Sequence, residues 1–287
     1  MNYEFDLQMW MDCFPLTERY GHLSGEPIIT SPNDLCNREW LRQLLEDKYT
    51  WGAPVPVDIF VMSRGEPENR AATKIGGLPY RPAGTAWPKF KSGAPMALIA
   101  QFNFTNSVDI VGKQRGDVLL AFGGEDEDGL INVAHFEWHR LGLTDLIRSE
   151  QMPDDCLKIL PCYGNRCRVM SYPDAKRKFE GMHPVVDGKE ILSPQFVATL
   201  NGTQIGRAPY YVQASDSRLP GRPLCCISSV QPAMHGPYPW VNVAEPHCKP
   251  DDWDFGSLDG YLMIGDAGSI YISIDRFGRL HSGLSCF

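Results

Sequence analysis

The 287-residue chain contains no run of about 18 consecutive apolar residues, so its sequence predicts no membrane-spanning helix. The N-terminal stretch MNYEFDLQMWMDC has no basic residue and no long apolar segment, so we expect no secretory signal. No low-complexity linker divides the chain. We therefore expect a cytoplasmic protein with a single domain over residues 1–287 and no membrane partner.

An excess of basic residues is also missing. The chain has 27 Lys and Arg against 35 Asp and Glu, which gives a formal net charge of −8. Because phosphate binding requires a basic surface, we expect no nucleic acid partner. An acidic balance is compatible with simple solubility, or with a basic protein partner whose encounter is accelerated by complementary charge.

The sequence lacks the motifs of common catalytic sites. It contains neither the G-x-S-x-G of a nucleophile elbow nor the G-K-[ST] ending of a P-loop. Its nine cysteines are scattered, apart from adjacent Cys225 and Cys226. We expect reduced thiols, no disulfide between these two, and only one of them facing the core. We predict no enzymatic activity.

Two sets of residues resemble incomplete metal sites. HFEWH places His135, Glu137 and His139 on one face of a predicted strand, where they would suit zinc or form a solvated face opposite buried aromatic residues. Cys162 and Cys167 have no second pair at zinc-knuckle spacing. Since both sets are incomplete, we predict that the protein binds no metal and no cofactor.

The pattern along the chain is mostly that of strands and turns. Helical spacing of apolar residues predicts one helix over residues 35–49, within an N-terminal helical extension at 1–52. VDIFVMS is a predicted strand, and LINVAHFEWHRLG alternates as another. Short helices are predicted at 144–150, 173–181 and 193–200. The 23 prolines and 27 glycines divide the rest into short segments, which is typical of a β-rich protein.

One phrase, a Gly-Pro turn followed by an apolar run and a Gly-led strand, occurs twice. The first copy has IGGLPYRPAGTAWP, PMALIAQFNF and GDVLLAF, and the second has IGRAPYYVQ, PLCCISSVQP and AGSIYISI. The three blocks are offset by 130, 128 and 151 residues, so the third requires an insertion. We expect two β-rich halves, at about 55–150 and 195–280, with equivalent strand order and direction.

These motifs resemble the YwqG-like family, a bacterial family known as domain of unknown function 1963. The shared features are the GG-x-P turn at residues 76–79, the Trp87-Pro88 pair, and a strand that ends in Ala100-Gln101. From the residues themselves, we expect a positive φ in the Gly76-Gly77 bend and a Trp87 ring packed on the turn.

Two later segments resemble the same family in altered form. IGRAPYYVQ has Arg207 where a second Gly is usual, and IGDAGSIYISI has Ile264 in the Trp position. The resemblance, over about residues 57–276, implies an α+β, β-dominated fold with internally duplicated antiparallel units and a few short helices. It implies no known enzymatic activity. Because members occur beside polymorphic toxin genes, it suggests an immunity role.

Acidic and aromatic loops are the remaining candidates for function. They contain Glu125, Asp126, Glu127 and Asp128 in GGEDEDG, Asp251, Asp252, Trp253 and Asp254 in PDDWDF, and Tyr238 and Trp240 in GPYPW. Such loops are usually solvated turns, but loops on a rigid scaffold also carry function, and Trp is enriched in interface hot spots.

We therefore predict a non-enzymatic immunity protein that binds and inhibits a cognate toxin, a basic effector such as a nuclease, through these loops. We expect it to be a monomer in the free state. Two alternatives remain open. One is a small-ligand binder or enzyme with a pocket between the two halves. The other is an interaction module with no fixed chemistry.

Overall fold

The structure is a computed structural model that describes residues 49–178, 185–186, 189–190, 199, 202–213, 219–230, 260–265 and 268–286. The helices predicted at 35–49 and 193–200 fall almost entirely outside these residues. Among the described residues, no helix has the length and apolar character needed to cross a membrane.

Strands make up nearly all of the regular structure in the described part of the chain. The first half contains β1 (Tyr49–Thr50), β2 (Val55–Arg64), β3 (Lys74–Ile75), β4 (Ala97–Asn103), β5 (Val118–Glu125) and β6 (Ile131–His139). The second half, which begins with β7 and so before the predicted start near residue 195, contains β7 (Cys162–Ser171), β8 (Lys176–Arg177), β9 (Val185–Val186), β10 (Lys189–Glu190), β11 (Gln204–Gly206), β12 (Arg222–Ser228), β13 (Ser269–Ile274) and β14 (Leu280–Ser285). A four-residue helix, α1 (Val108–Val111), follows β4.

Ten of these strands form one antiparallel sheet in the order β14-β13-β12-β11-β2-β7-β3-β4-β5-β6. The sheet curls into a nearly closed barrel. Its two edge strands approach each other where the Ser282 hydroxyl donates to the Val133 carbonyl at 3.0 Å. The predicted β-dominated antiparallel architecture is therefore confirmed.

Two of the predicted short helices are wrong in the described residues. Within 144–150 the chain forms only a 3₁₀ turn, Ser149–Gln151, which begins near the end of that range. Within 173–181, Lys176 and Arg177 form β8 because they pair with Tyr49 and Thr50 of β1. In the second case a partner that is distant in sequence determines the conformation, and local helical spacing does not reveal such a partner.

Both halves of the sheet contain the same series of strands. β3, β4, β5 and β6 pair in chain order on one side, and β11, β12, β13 and β14 do so on the other. Ile75 lies opposite Ala100, and Ile205 lies opposite Cys225. The second block is therefore offset by 125 residues, which corrects the 128 inferred from the sequence.

A shared irregularity marks the same position in both halves. β4 and β12 each contain a β-bulge, at Ile99 and at Leu224, and these two residues are also 125 apart. A bulge is a specific local feature of a strand rather than a general property of sheets. Its recurrence at equivalent positions supports the pairing of β4 with β12 in the comparison.

Equivalent side-chain contacts repeat as well. The Thr73 hydroxyl accepts the Asn103 amide at 3.0 Å, and the Thr203 hydroxyl accepts the Ser228 amide at 3.1 Å. Both threonine carbonyls also accept an amide from the central strand pair, at 2.9 and 3.0 Å. Strand order, strand direction and side-chain contacts therefore agree between the two halves.

The first strand of each half lies beside the other half. β2 pairs with β11, β7 pairs with β3, and β2 and β7 pair with each other at the centre of the sheet. Ile205 faces Asp58, and Ile75 faces Cys162. Asp58 of β2 is therefore equivalent to Cys162 of β7. The same alignment of β2 with β7 makes Val61 equivalent to Asn165, and these two residues also pair directly with each other. An approximate two-fold axis therefore passes through this central pair.

One hydrophobic core fills the described barrel interior. It combines Phe60, Ile75 and Phe102 from the first half with Ile205 and Ile272 from the second. Because apolar burial is the main stabilising contribution in folding, this shared core joins the two halves into one unit.

Cys225 and Cys226 are both buried and are both free thiols. Only Cys225 faces the interior core, as predicted, and Cys226 is buried as well because both faces of β12 are covered. Cys225 belongs to the interior core. Cys226 lies near the Ser228 hydroxyl, and burial raises the pKa of its thiol to about 12 although the hydrogen bonds with Ser228 and Ser269 oppose the shift.

Candidate functional site

The Gly-Gly-Leu-Pro turn follows β3 and has the predicted backbone conformation. Gly76 and Gly77 have φ values of 62° and 68°. A Cβ at Gly77 would lie 2.0 Å from Glu66 Oε1, and the same oxygen accepts the Leu78 amide at 2.6 Å. The turn thus closes around the Glu66 carboxylate, and one oxygen of that carboxylate is occupied by the hydrogen bond from the Leu78 amide.

Lys74 supports this turn from inside the protein. Its fully buried ammonium donates to Glu66 Oε2 at 2.6 Å and to the Leu78 carbonyl. Burial lowers the pKa of Lys74, while the hydrogen bond and the charge of Glu66 oppose that shift. An enclosed amine bound on two sides serves to hold the turn.

The two other residues of the family signature are also committed to the fold. Gln101 Oε1 accepts the Tyr80 amide at 2.7 Å, and its Nε2 donates to two carbonyls at 2.7 and 2.8 Å. Trp87 Nε1 donates to the Met96 carbonyl at 2.7 Å, and its ring meets Phe122 edge-on at 5.5 Å. The Trp87 ring is thus packed into the fold, and its contacts are with β5 and the segment before β4 rather than with the glycine turn.

His135, Glu137 and His139 do lie on one face of β6, as predicted. The two Nε2 atoms are 3.4 and 3.2 Å from the Glu137 carboxylate. However, buried Arg81 binds the same carboxylate through Nε at 2.7 Å and Nη2 at 3.0 Å. Sequence analysis missed Arg81, whose one signal is its position directly after Tyr80 in the motif.

This ion pair leaves little room for a metal. Desolvation raises the pKa of Glu137, but hydrogen bonds from His139 and Arg81 and the charge of Arg81 outweigh it and lower the pKa to about 2. Both carboxylate oxygens contact cationic or imidazole groups, so a zinc ion would have to displace Arg81. Within the described ranges, no group of three or more His, Cys, Asp or Glu residues is arranged to hold a metal.

The segment that contains the glycine turn and these motif residues also matches a known family. The family model of a domain of unknown function, DUF1963, matches residues 73–116. The DUF1963 segment contains Lys74, the glycine turn, Arg81, Trp87 and Gln101, so the resemblance is confirmed for this part of the chain. Within this segment, the side chains of Lys74 and Gln101 hold the turn and β4 in place. No curated protein matches the chain.

The predicted acidic loop lies after the DUF1963 segment, between β5 and β6. Asp126 Oδ1 accepts the amides of Asp128 and Leu130 at 3.0 and 2.9 Å, and Oδ2 accepts Asn132 Nδ2 at 2.6 Å. Gly129 follows with a φ of 76°. Asp126 therefore forms the hairpin, which removes it from the set of carboxylates available for binding.

The second half contains the same hairpin between β13 and β14. Asp275 Oδ1 accepts the amides of Phe277 and Arg279 at 2.8 and 2.9 Å, and Oδ2 lies 3.3 Å from His281 Nε2. Gly278 also has a φ of 76°. Sequence analysis did not single out this loop, although D-E-D-G and D-R-F-G share the Asp-x-x-Gly spacing that both turns use.

The two hairpins differ in the charge that they expose. Residues 125, 127 and 128 form the acidic tip: Glu125, Glu127 and Asp128 are exposed, and their carboxylates form no hydrogen bond or ion pair with any described residue. The Phe90 ring packs close to Gly124 at the base of the acidic tip. In the sequence, Phe90 is flanked by Lys89 and Lys91.

The equivalent hairpin forms a basic tip. It consists of Arg276, Phe277 and Arg279, with Arg115 donating to the Phe277 carbonyl at 3.2 Å. The Phe277 ring is 60% exposed, and the guanidinium carbons of Arg276 and Arg279 lie 4.7 and 5.1 Å from its centroid. β5 and β13 run in opposite directions, because neighbouring strands alternate and these two are seven positions apart. The two tips therefore lie at opposite ends of the barrel.

The other predicted binding residues, Asp251, Asp252, Trp253, Asp254, Tyr238 and Trp240, lie outside the described residues. Their role remains a prediction. The structure therefore addresses the acidic-loop hypothesis through the acidic tip alone.

Proposed function

We propose that the protein binds a basic protein partner through the acidic tip and catalyses no reaction. The observation that carries this proposal is the repeated hairpin. Its backbone needs only the aspartate and the glycine, because the second copy forms the same hydrogen bonds with arginine and phenylalanine at the intervening positions. The charges of Glu127 and Asp128 are therefore not required by the fold. The repeated register, bulge and hairpin also favour an internal duplication.

The rest of the described structure supports binding over catalysis. A single core occupies the space between the two halves, where the alternative function would need a ligand pocket. The Glu137 carboxylate, the best candidate for a chemical group, is engaged by Arg81 and by two histidines. A catalytic base needs reach to a substrate proton, and this carboxylate is already surrounded by donors.

The more specific form of the proposal is an immunity protein that inhibits a cognate basic toxin, such as a nuclease. A nuclease cleft is built for phosphate, and exposed carboxylates on a projecting hairpin can occupy it. The predicted loops with Tyr238, Trp240 and Asp251–Asp254 would extend this surface. Trp240 and Trp253 are then the expected affinity anchors.

The proposal is tested by placing a photo-crosslinking amino acid at position 127 and identifying the protein captured in the native cell. Association is then measured across a salt series for the variant Glu125→Gln, Glu127→Gln, Asp128→Asn. We expect roughly a tenfold slower association at low salt, a flatter salt dependence, and a nearly unchanged dissociation rate.

Asp154→Asn with Asp155→Asn is the matched control, because both aspartates are exposed and lie outside the hairpin. This control should retain at least two thirds of the wild-type association rate, as expected when distant surface charges are screened. If the acidic-tip variant associates as fast as the control at every salt concentration, the acidic tip is an ordinary solvated turn and the proposal is wrong.

A further inference from the structure

We propose that the basic tip is a docking site for the acidic tip of a second copy of this chain. The association would be weak and head-to-tail. Both tips have the same hairpin backbone, carry opposite charge and lie at opposite ends of the barrel. A surface complementary to the basic tip is therefore already present on every molecule.

The charges that remain available at the two tips are opposite in sign. Arg115 and Arg276 have no carboxylate partner among the described residues, and Arg279 shares Asp275 at 2.8 Å while staying exposed. Exposed Lys113 adds a further positive charge beside Arg115. Glu125, Glu127 and Asp128 on the opposing tip offer three carboxylates, and Arg side chains can bind such groups in a bidentate manner.

Phe277 provides the apolar centre that a purely ionic contact lacks. Its ring is largely exposed and stands between two guanidinium groups. Docking of a second hairpin would cover the ring and the apolar stems of the flanking arginines while their charged ends meet carboxylates. An aromatic centre surrounded by charges is the arrangement expected of a small docking surface.

The geometry determines the type of assembly. The two tips of one molecule lie at opposite ends and cannot meet each other, and the proposed contact joins two different surface patches, so it is heterologous. Each added copy leaves one free acidic tip and one free basic tip, which favours short open chains over a closed ring. Two hairpin tips bury little surface, so chains would form at hundreds of micromolar or above. At lower concentration the monomer expected from the sequence would dominate.

Salt should control this association strongly. The net charge of −8 on each copy produces a long-range repulsion, but this is screened beyond about 8 Å at physiological ionic strength. The tips meet at shorter range, where opposite charges attract. The same carboxylates act in the proposed function, so a basic partner would dissociate the chains. The two ideas fail separately, because self-association is measured without any partner.

The test is sedimentation velocity of the full chain from about 10 µM to 1 mM, at about 0.05 and 0.5 M NaCl. We expect the weight-average mass to rise with concentration at low salt and to fall to that of the monomer at high salt. Glu127→Arg with Asp128→Arg makes both ends basic, and Arg115→Glu with Arg276→Glu makes both ends acidic. Each variant alone should lose association by at least tenfold.

An equimolar mixture of the two variants should restore association to within about threefold of wild type, because opposite tips then meet again. Lys158→Glu, at an exposed site outside both hairpins, is the control for a change in net charge and should associate like wild type. A wild-type chain that stays monomeric at 1 mM and low salt would overturn the proposal. Association that is unchanged in both charge-reversal variants would also overturn it.

A second measurement distinguishes other occupants of the basic tip. NMR signals of Arg276 and Phe277 are followed while a poly-glutamate peptide or single-stranded RNA is added to the chain. Shifts at these residues with either probe, combined with a monomeric wild-type chain, would assign the tip to a foreign acidic ligand and would reject the second copy as its occupant.

Discussion

Lys74 and Gln204 occupy equivalent positions on β3 and β11, but their polar atoms are satisfied differently. The Lys74 ammonium binds Glu66 and the Leu78 carbonyl. The side-chain amide of Gln204 is as deeply buried, yet neither its Oε1 nor its Nε2 has a hydrogen-bond partner among the described residues. The two positions therefore separate the effect of burial from the effect of pairing.

Replacing each of these residues by methionine should have unequal effects. Lys74→Met leaves Glu66 and a carbonyl without their donor, so we expect it to lower the free energy of unfolding by about 2–4 kcal/mol. Gln204→Met should change it by less than about 1 kcal/mol, because an amide with no partner in the described part of the chain is exchanged for an apolar group of similar size. Urea unfolding of both variants measures this, and equal losses would contradict the assignment.

The Arg81–Glu137 ion pair predicts a pH dependence. The folded-state pKa of Glu137, about 2, lies below the ordinary value of 4.5. The pair therefore stabilises the fold fully above pH 4.5, and this contribution is lost as the pH falls towards 2. Glu137→Gln should cost about 1–2 kcal/mol at pH 7 and progressively less below pH 4.5.

Urea unfolding between pH 7 and 3 checks this prediction, with Glu127→Gln as the control. Glu127 is exposed and its carboxylate has no partner among the described residues, so its variant should track wild type at every pH. A Glu137→Gln deficit that stays constant down to pH 3 would mean that the carboxylate contributes through shape and hydrogen bonding alone.

Sequence reasoning placed Glu137 on the correct face of its strand but missed its pairing with Arg81. Charged residues are rarely buried, so the sequence patterns give no sign that Arg81 and Lys74 are enclosed. Their partners, Glu137 and Glu66, come from segments that local patterns do not connect with them. The HFEWH strand illustrates the limit: its face was predicted, while the arginine that fills the centre of that face was not.

At the scale of single elements, the two tip hairpins depend on one aspartate each. Asp126→Ala should remove the acceptor for the amides of Asp128 and Leu130, and Asp275→Ala should do the same for those of Phe277 and Arg279. We expect these amides to exchange with solvent roughly five- to tenfold faster. Hydrogen exchange followed by NMR measures the effect.

Asparagine at either position keeps one acceptor oxygen, so Asp126→Asn and Asp275→Asn should preserve most of the protection. Unchanged exchange in the alanine variants would show that the glycine turn alone holds the hairpin. The Asp-x-x-Gly spacing was present in the sequence for both hairpins, and its chemistry predicts such turns. Only the correct alignment of β5 with β13 reveals that the two turns are equivalent.

At the scale of the whole molecule, the repeated phrase predicted the order and direction of strands in both halves. It did not predict the second offset, since one short apolar run can be aligned with another in several registers. The exchange of β2 and β7 across the centre was also beyond sequence reasoning. β2 pairs with β11 through Asp58 and Ile205, which are far apart along the chain, and no local pattern specifies such a contact.

Because the central strands pair across the two halves, some strands are synthesised long before their partners. β2 and β3 leave the ribosome early, but their partners β11 and β7 follow only after the whole first half has been made. Until then, both strands present unpaired edges, which are templates for association with other chains. The first half of a neighbouring nascent chain offers equivalent edges. Crowded or slow translation should therefore favour chains joined through exchanged strands, which dissociate only on unfolding.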